Sequence, residues 1–373
     1  MRIAIDARVL EKEMTGIGRY LRDLLNVIPQ IDNKNEYFLF STISIQNYKN
    51  NFFKNIILDK LMFHSKIFSP FWLNFILRKY LVENKFDLFF SPNNLCPLIS
   101  STRIKKIITI HDVMFKIDKY YYPFFYRNYL NFMLKRSINS ADKIITISKC
   151  SQMDIVKYYD VSREKVKVIY GAADPKFKFR PLSKIDCQYY KSKYSLPENY
   201  ALYIGLIENR KNINIILKVA EVCKNKDIDI GFILIGRPGY GFKEIKQKID
   251  RCEGKILYLN YIDDVDLPHI YNLAKIFIFP SLYEGFGLPV LEAMKSGIPV
   301  LTSNTSSLPE IVNNYGIMHE PNDTNGFVES ILSLLRDNVL YKEYCERSLI
   351  GAKRFNQEML VFEHVKLFNE LLK

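Results

Sequence analysis

The fold is decided at residues 275–298, which read KIFIFPSLYEGFGLPVLEAMKSGI. The apolar run at the start of this segment ends at Pro280, which predicts a short buried strand. Pro289 lies where a first helical turn would begin, a position at which its missing N–H costs nothing. Gly297 ends the helix, and residues 300–302 predict the next strand. The segment therefore predicts a βαβ unit of a nucleotide-binding α/β domain.

Two carboxylates lie eight residues apart in this unit, Glu284 in the loop and Glu292 in the first turn of the helix. The backbone N–H groups and the positive helix end expected at 287–290 make a cradle for a pyrophosphate. Glu292 would then bond a sugar hydroxyl beside that phosphate. Taken alone, Glu292 would equally complement the helix dipole, and the glycines would only make a turn. The complete loop favours the functional interpretation.

The nine residues from Glu284 to Glu292, EGFGLPVLE, resemble the E-x7-E motif of the retaining nucleotide-sugar glycosyltransferases of glycosyltransferase family 4. The flanking segments 279–281 and 303–310 agree, and the resemblance extends to both ends of the chain. It implies an α/β fold of the GT-B type, in which two Rossmann-like doubly wound domains face each other across a cleft. It also implies that the donor contacts the loop residues between the two glutamates, namely Gly285, Phe286, Gly287 and Leu288.

Length and composition restrict the class of protein. A chain of 373 residues exceeds one comfortable core, so two domains are expected. The six cysteines are scattered without a C-x-x-C pair, which argues against a zinc site or a disulfide framework and suits a reducing cytosol. The first residues are too few and too charged for a signal peptide, and no apolar run approaches the length of about 18 residues that spans a bilayer. We expect a cytoplasmic protein.

The charge balance is basic, with 53 Lys and Arg against 40 Asp and Glu and a net charge of +13. Such a field attracts phosphates, whether on a nucleotide, on anionic lipid or on nucleic acid. Nucleic acid is the weaker choice, because the basic residues are spread along the chain and no helix-turn-helix, zinc-finger or RNP-like pattern occurs. We therefore expect no nucleic-acid partner.

Strand-like apolar runs alternate with helix-like segments in two series, as in parallel sheets covered on both faces. The first series of predicted strands is 2–6, 37–41, 88–91, 106–110 and 143–147. The second series is 200–204, 231–236, 255–259, 276–280 and 299–303. The aperiodic segment 171–182 predicts the linker. We place an N-terminal acceptor-binding domain at 1–175 and a C-terminal nucleotide-sugar-binding domain at 182–354, and the resemblance implies that a last helix at 355–373 crosses back to the first domain.

Two cations follow the first strand of the second series. Gly205 lets the chain turn, and Arg210 and Lys211 come shortly after it. A guanidinium fork and an ammonium both suit a diphosphate, although such a pair is by itself typical of a solvated face. In the family that the chain resembles, the matching arginine and lysine hold the donor pyrophosphate. Many members also carry an arginine directly after the glycine, where this chain has Leu206, so that contact is absent or supplied elsewhere.

Two further candidates lie in the first series. Gly16 belongs to a loop that opens a helix after the first strand, and it would let backbone amides approach a β-phosphate, although ordinary turns use the same residues. His111 ends the strand predicted at 106–110, and the carboxyl end of a parallel strand is where ligands bind in such sheets. In the family the matching histidine contacts the donor sugar at the reacting centre. Most lone histidines are structural, but position and motif together favour the functional role.

The resemblance implies how these residues act. Glu284 is expected to position donor-sugar hydroxyls, and Glu292 to bond the nucleotide ribose. The two cations and the loop amides would stabilise the departing nucleoside diphosphate. This differs from retaining glycosidases, in which one of two closely spaced carboxylates attacks the sugar. The D-x-D motif of metal-dependent transferases has no convincing counterpart, because the D-V-D at 264–266 is predicted to begin a helix. We expect neither a metal ion nor another cofactor.

Two stretches that mix aromatic and basic residues bear on the acceptor, one at 66–79, which includes Trp72 and Phe75, and one at 116–136. The mixture suits a membrane interface, and it equally suits core helices whose basic residues extend to water. In the family the first domain receives the acceptor. The expected acceptor is a glycan, or a glycan linked to a polyprenyl diphosphate at the inner face of the cytoplasmic membrane, with peripheral membrane contact.

The leading interpretation is a retaining, metal-independent hexosyltransferase of cell-surface polysaccharide synthesis, similar to bacterial O-antigen mannosyltransferases. The segment 303–310 resembles members that use GDP-mannose, which favours mannose, and a UDP-sugar stays as the alternative. Another GT-B enzyme, such as a nucleotide-sugar epimerase, is a second alternative. A third is a non-catalytic nucleotide-sugar-binding or membrane-associated partner of an assembly complex. That alternative is disfavoured because a relic would not need all five of the candidates Glu284, Glu292, His111, Arg210 and Lys211.

Overall fold

The chain folds into two compact units. The computed structural model describes residues 1–11, 15–45, 52–58, 71–99, 103–118, 123–252 and 254–372. Unit 1 comprises Met1–Ala172 together with Asn356–Lys373, and unit 2 comprises Ala173–Phe355. Each unit is built on its own parallel sheet.

Unit 1 has, in the part of it that the structure describes, a parallel sheet of seven strands. The strands are β1 (Arg2–Asp6), β2 (Glu36–Ser41), β3 (Phe53–Ile57), β4 (Leu88–Ser91), β5 (Lys105–Ile110), β6 (Lys143–Thr146) and β7 (Val166–Val168). The helices are α1 (Gly16–Ile31), α2 (Arg78–Glu83), α3 (Met114–Ile117), α4 (Phe124–Ser140) and α5 (Lys149–Tyr159). Shorter turns are the 3-10 turns Arg8–Leu10 and Arg163–Lys165 and the π-helical turn Trp72–Leu77. The strand order β3-β2-β1-β4-β5-β6-β7 reverses the direction of winding between β1 and β4.

Unit 2 repeats this plan with a parallel sheet that has six strands among the residues described. The strands are β8 (Tyr200–Ile204), β9 (Gly231–Ile235), β10 (Ile256–Leu259), β11 (Ile276–Phe279), β12 (Val300–Ser303) and β13 (Ile317–His319). The helices are α6 (Lys184–Tyr194), α7 (Ile213–Asn225), α8 (Phe242–Arg251), α9 (Leu267–Leu273), α10 (Leu288–Lys295), α11 (Leu308–Val312), α12 (Thr324–Arg336) and α13 (Asn338–Ala352). The 3-10 turns are Asn209–Lys211 and Asn313–Tyr315. The order β10-β9-β8-β11-β12-β13 places the reversal between β8 and β11.

The predicted α/β class with two doubly wound sheets is confirmed. Each predicted strand is present, with ends within one residue of the prediction. The central strands are recognisable in sequence because both faces are covered, so that β4, β11 and β12 are buried along their whole length. The strands that the sequence did not reveal are β3, β7 and β13, and all three lie at sheet edges, where they are short or only half buried.

The last helix, α14 (Gln357–Leu371), begins where the Asn356 side chain accepts a hydrogen bond from the Met359 N–H at 2.7 Å. It packs against α1 and completes unit 1. Its buried residues are Leu360, Val361, His364, Val365, Leu367 and Phe368. The packing therefore joins the first helix of the chain to the last one.

The first aromatic and basic stretch is only partly described, because residues 66–70 lie outside the described residues. Trp72 is fully buried, donates its indole N–H to the Leu58 carbonyl at 3.1 Å and stacks beneath the Arg8 guanidinium at 4.2 Å. The membrane interpretation is therefore wrong for Trp72, which belongs to the core of unit 1. Phe75 lies on the surface, where it stacks on Phe71.

Candidate active site

The candidate residues of unit 2 meet at the point where its sheet reverses its winding. Arg210 and Lys211 lie in the 3-10 turn Asn209–Lys211 after β8, and Glu284 lies in the loop after β11. β8 and β11 are paired in the sheet, with Ile276 opposite Ala201. Since the carboxyl ends of neighbouring parallel strands lie side by side, the two loops meet although their residues are far apart in sequence.

A buried ion pair joins these two loops. The Lys211 ammonium lies 2.5 Å from Glu284 Oε1, and both residues are more than nine-tenths buried. The Arg210 guanidinium lies 3.5 Å from Glu284 Oε2. Burial raises the pKa of the Glu284 carboxyl, but the attraction to Lys211 and then to Arg210 outweighs it, so that its pKa lies below the usual range. Glu284 is therefore an ionised, rigidly held carboxylate.

Glu208 is a member of the cluster to which the sequence analysis gave no role. The Arg210 Nε and Nη2 atoms donate to Glu208 Oε1 at 3.1 and 2.7 Å, and Nη1 donates to the Tyr283 carbonyl at 2.8 Å. The two cations are thus paired with two carboxylates, Glu208 and Glu284. Both groups are multiple hydrogen-bond donors, since a guanidinium has five N–H groups and an ammonium has three. The signal in the sequence was Glu208 itself, which lies two residues before Arg210 in the loop that follows β8.

The loop that contains Gly285 and Gly287 is held in place by two serines of the segment 303–310. Ser306 Oγ accepts from the Glu284 N–H at 2.8 Å, and Ser307 Oγ donates to the carbonyls of Glu284 and Phe286 at 3.0 and 2.7 Å. Gly287 precedes α10 with φ +115°, a conformation that side chains rarely adopt. These contacts explain why the loop and the segment 303–310 occur together in the sequence.

The pyrophosphate site expected at 287–290 has fewer backbone amides to offer than the sequence suggested. α10 begins at Leu288 with Pro289 in its first turn, as predicted. The Val290 N–H, however, donates to the Gly287 carbonyl at 3.0 Å, so it already has a partner within the helix. Pro289 has no N–H. Any amide that meets a phosphate here therefore belongs to the loop before Pro289.

Glu292 is buried in α10 and is bonded to a tyrosine. The Tyr271 hydroxyl donates to Glu292 Oε2 at 2.8 Å, and Tyr271 is itself fully buried between Phe177 and Phe277. Tyr271 lies on α9 and was not singled out in the sequence, because nothing in its local pattern marks it. Glu292 therefore has a structural contact within unit 2 in addition to the ligand contact that the sequence predicts.

Gly16 and His111 belong to unit 1. Gly16 is the first residue of α1, where Thr15 Oγ1 accepts from the Gly18 N–H at 3.2 Å. Among the described residues, no atom lies within 4 Å of a methyl group added at Gly16. Thr15 is the N-cap of this 16-residue helix, whose N-terminus has a partial positive charge.

His111 follows β5 and has a defined protonation state. Its Nε2 lies 2.8 Å from the Pro92 carbonyl, and the Ser151 hydroxyl donates to its backbone carbonyl at 3.0 Å. Burial lowers the pKa of His111, although the Pro92 contact and the Asp112 charge oppose this, so the ring is neutral near pH 7. A carbonyl can only accept, so Nε2 carries the proton and Nδ1 carries the lone pair. Nδ1 can therefore accept a hydrogen bond from a hydroxyl.

Asp266 of the D-V-D segment is bonded to two side chains of α6. Asp266 occupies the position before α9, as predicted, but its carboxylate accepts from Lys193 Nζ and from the Tyr194 hydroxyl, each at 2.6 Å, and not from the helix. Throughout the described residues, no group of three or more His, Cys, Asp or Glu side chains is arranged to hold a metal ion. Nor does any helix of the described chain have the length and hydropathy that crossing a bilayer requires.

Comparison with known proteins adds independent findings. A family model described as Glycosyltransferase Family 4 matches residues 14–177, and one described as Glycosyl transferases group 1 matches residues 190–349. The O-antigen chain mannosyltransferase B of Escherichia coli is 30% identical over the full length of both chains. The O-antigen chain mannosyltransferase RfbU of Salmonella typhimurium is 28% identical, with 77% of this chain and 78% of that one covered. The crystal structure of HepE from Anabaena in complex with UDP-glucose superposes with a TM-score of 0.74 at 16% identity, covering 99% of this chain and all of that chain.

Proposed function

We propose that this chain, which belongs to glycosyltransferase family 4 and has the GT-B fold, transfers mannose from GDP-mannose to a glycan acceptor with retention of the anomeric configuration. The observation that carries the proposal is the buried cluster of Arg210, Lys211 and Glu284 at the ends of two adjacent strands. The similarity to O-antigen chain mannosyltransferase B over its full length supports mannose and a role in O-antigen synthesis. A UDP-sugar is the second candidate, supported by the UDP-glucose bound to HepE.

The cluster suits the breaking of a sugar–phosphate bond. In the proposed reaction, the bond from the anomeric carbon to the diphosphate oxygen breaks and its electron pair stays on that oxygen. Arg210 and Lys211 would stabilise the charge that develops there. Glu284 would accept hydrogen bonds from hydroxyls of the sugar that is transferred. The acceptor oxygen then bonds to the anomeric carbon on the same face and gives its proton to the leaving diphosphate.

Further donor contacts are proposed for residues of both units. The Glu292 carboxylate would accept a hydrogen bond from a ribose hydroxyl. The loop residues Gly285, Phe286, Gly287 and Leu288 would line the diphosphate. In unit 1, backbone amides of the loop at Gly16 would approach the β-phosphate, and His111 Nδ1 would accept from a hydroxyl of the donor sugar.

The donor is tested by a screen of purified protein against GDP-mannose, GDP-glucose, UDP-glucose and UDP-N-acetylglucosamine. The readouts are the shift in unfolding temperature and the slow hydrolysis of the donor. A ligand present at 100 times its Kd stabilises the folded protein by about 2.7 kcal/mol, which a thermal scan resolves. We expect the largest shift and the fastest hydrolysis with GDP-mannose. Stabilisation by a UDP-sugar and not by GDP-mannose would replace the first candidate by the second.

We predict that transfer is independent of divalent metal, because protein cations and backbone amides neutralise the leaving diphosphate. The rate with GDP-mannose should change by less than about twofold when excess EDTA is added, a difference of about 0.4 kcal/mol in the barrier. The matched control is a D-x-D transferase assayed in the same buffer. Complete loss with EDTA that manganese or magnesium restores would contradict the role proposed for Arg210 and Lys211.

The second aromatic and basic stretch supplies a surface that fits an anionic bilayer. On α4, the exposed aromatic residues are Phe124, Phe125, Tyr126, Tyr129 and Phe132, and Phe125 is 86% exposed. The Arg127 and Arg136 guanidinium groups lie over two of these rings, 5.7 Å from the Phe124 ring and 5.3 Å from the Phe132 ring. The helix has no Asp or Glu. Exposed aromatic and basic side chains on a helix that has no acidic residue match the interface of an anionic leaflet. We therefore propose peripheral contact with the inner face of the cytoplasmic membrane. The acceptor would then be a lipid-linked glycan.

Binding to vesicles should follow from this surface. We expect co-sedimentation with phosphatidylcholine vesicles only when they contain phosphatidylglycerol, and loss of it at 1 M salt, where the Debye length falls to about 3 Å. Replacing Phe125 and Phe132 together by serine should weaken binding at least tenfold, because each buried phenyl ring contributes about 1.5–3 kcal/mol. The control is Tyr189→Ser, which removes an exposed aromatic from α6 of unit 2. Equal binding by the double variant and the control would rule out this surface.

A further inference from the structure

His364 is a buried titratable group for which the proposed reaction has no use. It lies on α14 and is fully buried. Its Nδ1 is 2.7 Å from the Leu360 carbonyl, and its Nε2 is 2.5 Å from the Tyr20 hydroxyl. Burial lowers the pKa of His364 to about 4, so the ring is neutral. Because the carbonyl can only accept, Nδ1 holds the proton, and Nε2 accepts from the Tyr20 hydroxyl.

Tyr20 connects this histidine to His111. It lies on α1, four residues after Gly16, and its hydroxyl is also 3.2 Å from Thr109 Oγ1 on β5. The Tyr20 ring meets the His111 ring edge to face, with centroids 5.0 Å apart and planes at 89°. The tyrosine is thus held by its hydroxyl at one end and touches His111 with its ring.

The His111 side chain is fixed from two directions. One is the hydrogen bond from Nε2 to the Pro92 carbonyl, which sets the protonated nitrogen. The other is the Tyr20 ring, which restricts rotation about the axis of that hydrogen bond. A single hydrogen bond leaves a ring free to swing, so the ring contact decides where Nδ1 points. The contacts of the Tyr20 hydroxyl with His364 and Thr109 fix the far end of this ring.

We propose that His364 and Tyr20 are positioning residues that hold the His111 ring so that Nδ1 faces the donor sugar. The contact runs from the last helix, through α1, to the end of β5. This inference rests on the donor contact proposed for His111, but its test does not. If it is correct, the last helix contributes to the reaction without touching a substrate.

The orientation of His111 is measured directly in protein labelled with ¹⁵N-histidine. Long-range ¹H–¹⁵N spectra report the tautomer of each of the five histidines, and the His111 signals are identified by their loss in His111→Ala. In the parent protein we expect the form protonated on Nε2. In Tyr20→Phe and His364→Leu we expect the His111 ring to turn away from the Pro92 carbonyl, so that its signals shift toward a mixture of tautomers. His364→Gln, whose amide oxygen can accept from Tyr20, should restore the parent spectrum.

Kinetics provide the second readout. Displacement of a contact at the reacting centre should lower kcat for transfer about 10- to 100-fold in His364→Leu, with a smaller change in KM. The control is Leu367→Ala, which removes buried contacts from the same helix and should lower stability without moving the His111 signals. Unchanged His111 signals in both Tyr20→Phe and His364→Leu would overturn the inference. Shifted signals together with full activity of His111→Ala would uphold the positioning and reject the donor contact of His111.

Discussion

Glu284→Gln should lower kcat/KM for transfer by at least about 100-fold, or about 2.7 kcal/mol of transition-state stabilisation. The glutamine has nearly the shape of the glutamate but no charge. The Lys211 ammonium, which lies 2.5 Å from the carboxylate, is then left without its buried counter-ion. Breaking a buried pair on one side costs about 3–5 kcal/mol of folding free energy, so the variant should also be less stable.

The double variant Lys211→Met/Glu284→Gln separates these two effects. Removing both charges replaces the ion pair by neutral side chains, so most of the lost stability should return. The activity should not return, because the diphosphate loses a cation and the sugar loses its carboxylate. The measurements are denaturant unfolding and initial rates of transfer. Recovery of activity along with stability would mean that Glu284 only neutralises Lys211, and its role toward the sugar would be abandoned.

Glu292→Gln should weaken the binding of GDP and of GDP-mannose equally, by about 10- to 100-fold, which corresponds to a charged hydrogen bond of about 1.5–3 kcal/mol. The reason is that Glu292 is proposed to bond the ribose, which both ligands share. Glu284→Gln should weaken GDP-mannose and leave GDP within about twofold, or 0.4 kcal/mol, because GDP has no sugar for it to hold. Titration calorimetry with the two ligands measures both differences.

Tyr271→Phe is the matched control for Glu292. It removes the hydroxyl that donates to Glu292 Oε2 and leaves the carboxylate in place. We expect a loss of stability of about 1–3 kcal/mol, the cost of a buried polar group that loses its partner, with GDP affinity close to that of the parent. If Glu292→Gln binds GDP as tightly as the parent while both variants lose stability, Glu292 is a structural residue and the E-x7-E argument fails at its second glutamate.

Strands that are covered on both faces of the sheet could be predicted from their sequence patterns. β4 and β11 are covered on both faces, and each appears in the sequence as a run of three or four apolar residues. β3 and β13 lie at sheet edges with partly exposed side chains, and their sequences carry no such run. An edge strand forms because it pairs with one neighbouring strand, and its own sequence does not show which strand that is.

The residues of the site also divide into those whose proximity the sequence could reveal and those for which it could not. The charged residues Arg210, Lys211 and Glu284 stand in loops that directly follow strands, and a parallel sheet brings such loops together, so their proximity could be inferred. Tyr271 and His364 lie inside helices, and each has a partner distant in sequence, 21 residues away in one case and 344 in the other. Nothing in a helical pattern shows which buried polar residue will find a partner. Trp72 shows the converse, since an aromatic and basic neighbourhood did not reveal that its ring is buried.

The position of α14 has a consequence for the order in which the protein matures on the ribosome. Residues 1–172 emerge first, but unit 1 also requires residues from 356 onward, which emerge only after all of unit 2. At about 5–20 residues per second, the growing chain waits about 10–40 s for that helix. During this interval the face of α1 that α14 covers stays exposed, and the Tyr20 hydroxyl has no histidine to meet. The half that is translated first is therefore the half that is finished last, and nascent chains arrested between the two stages should depend on chaperones that shield apolar helices.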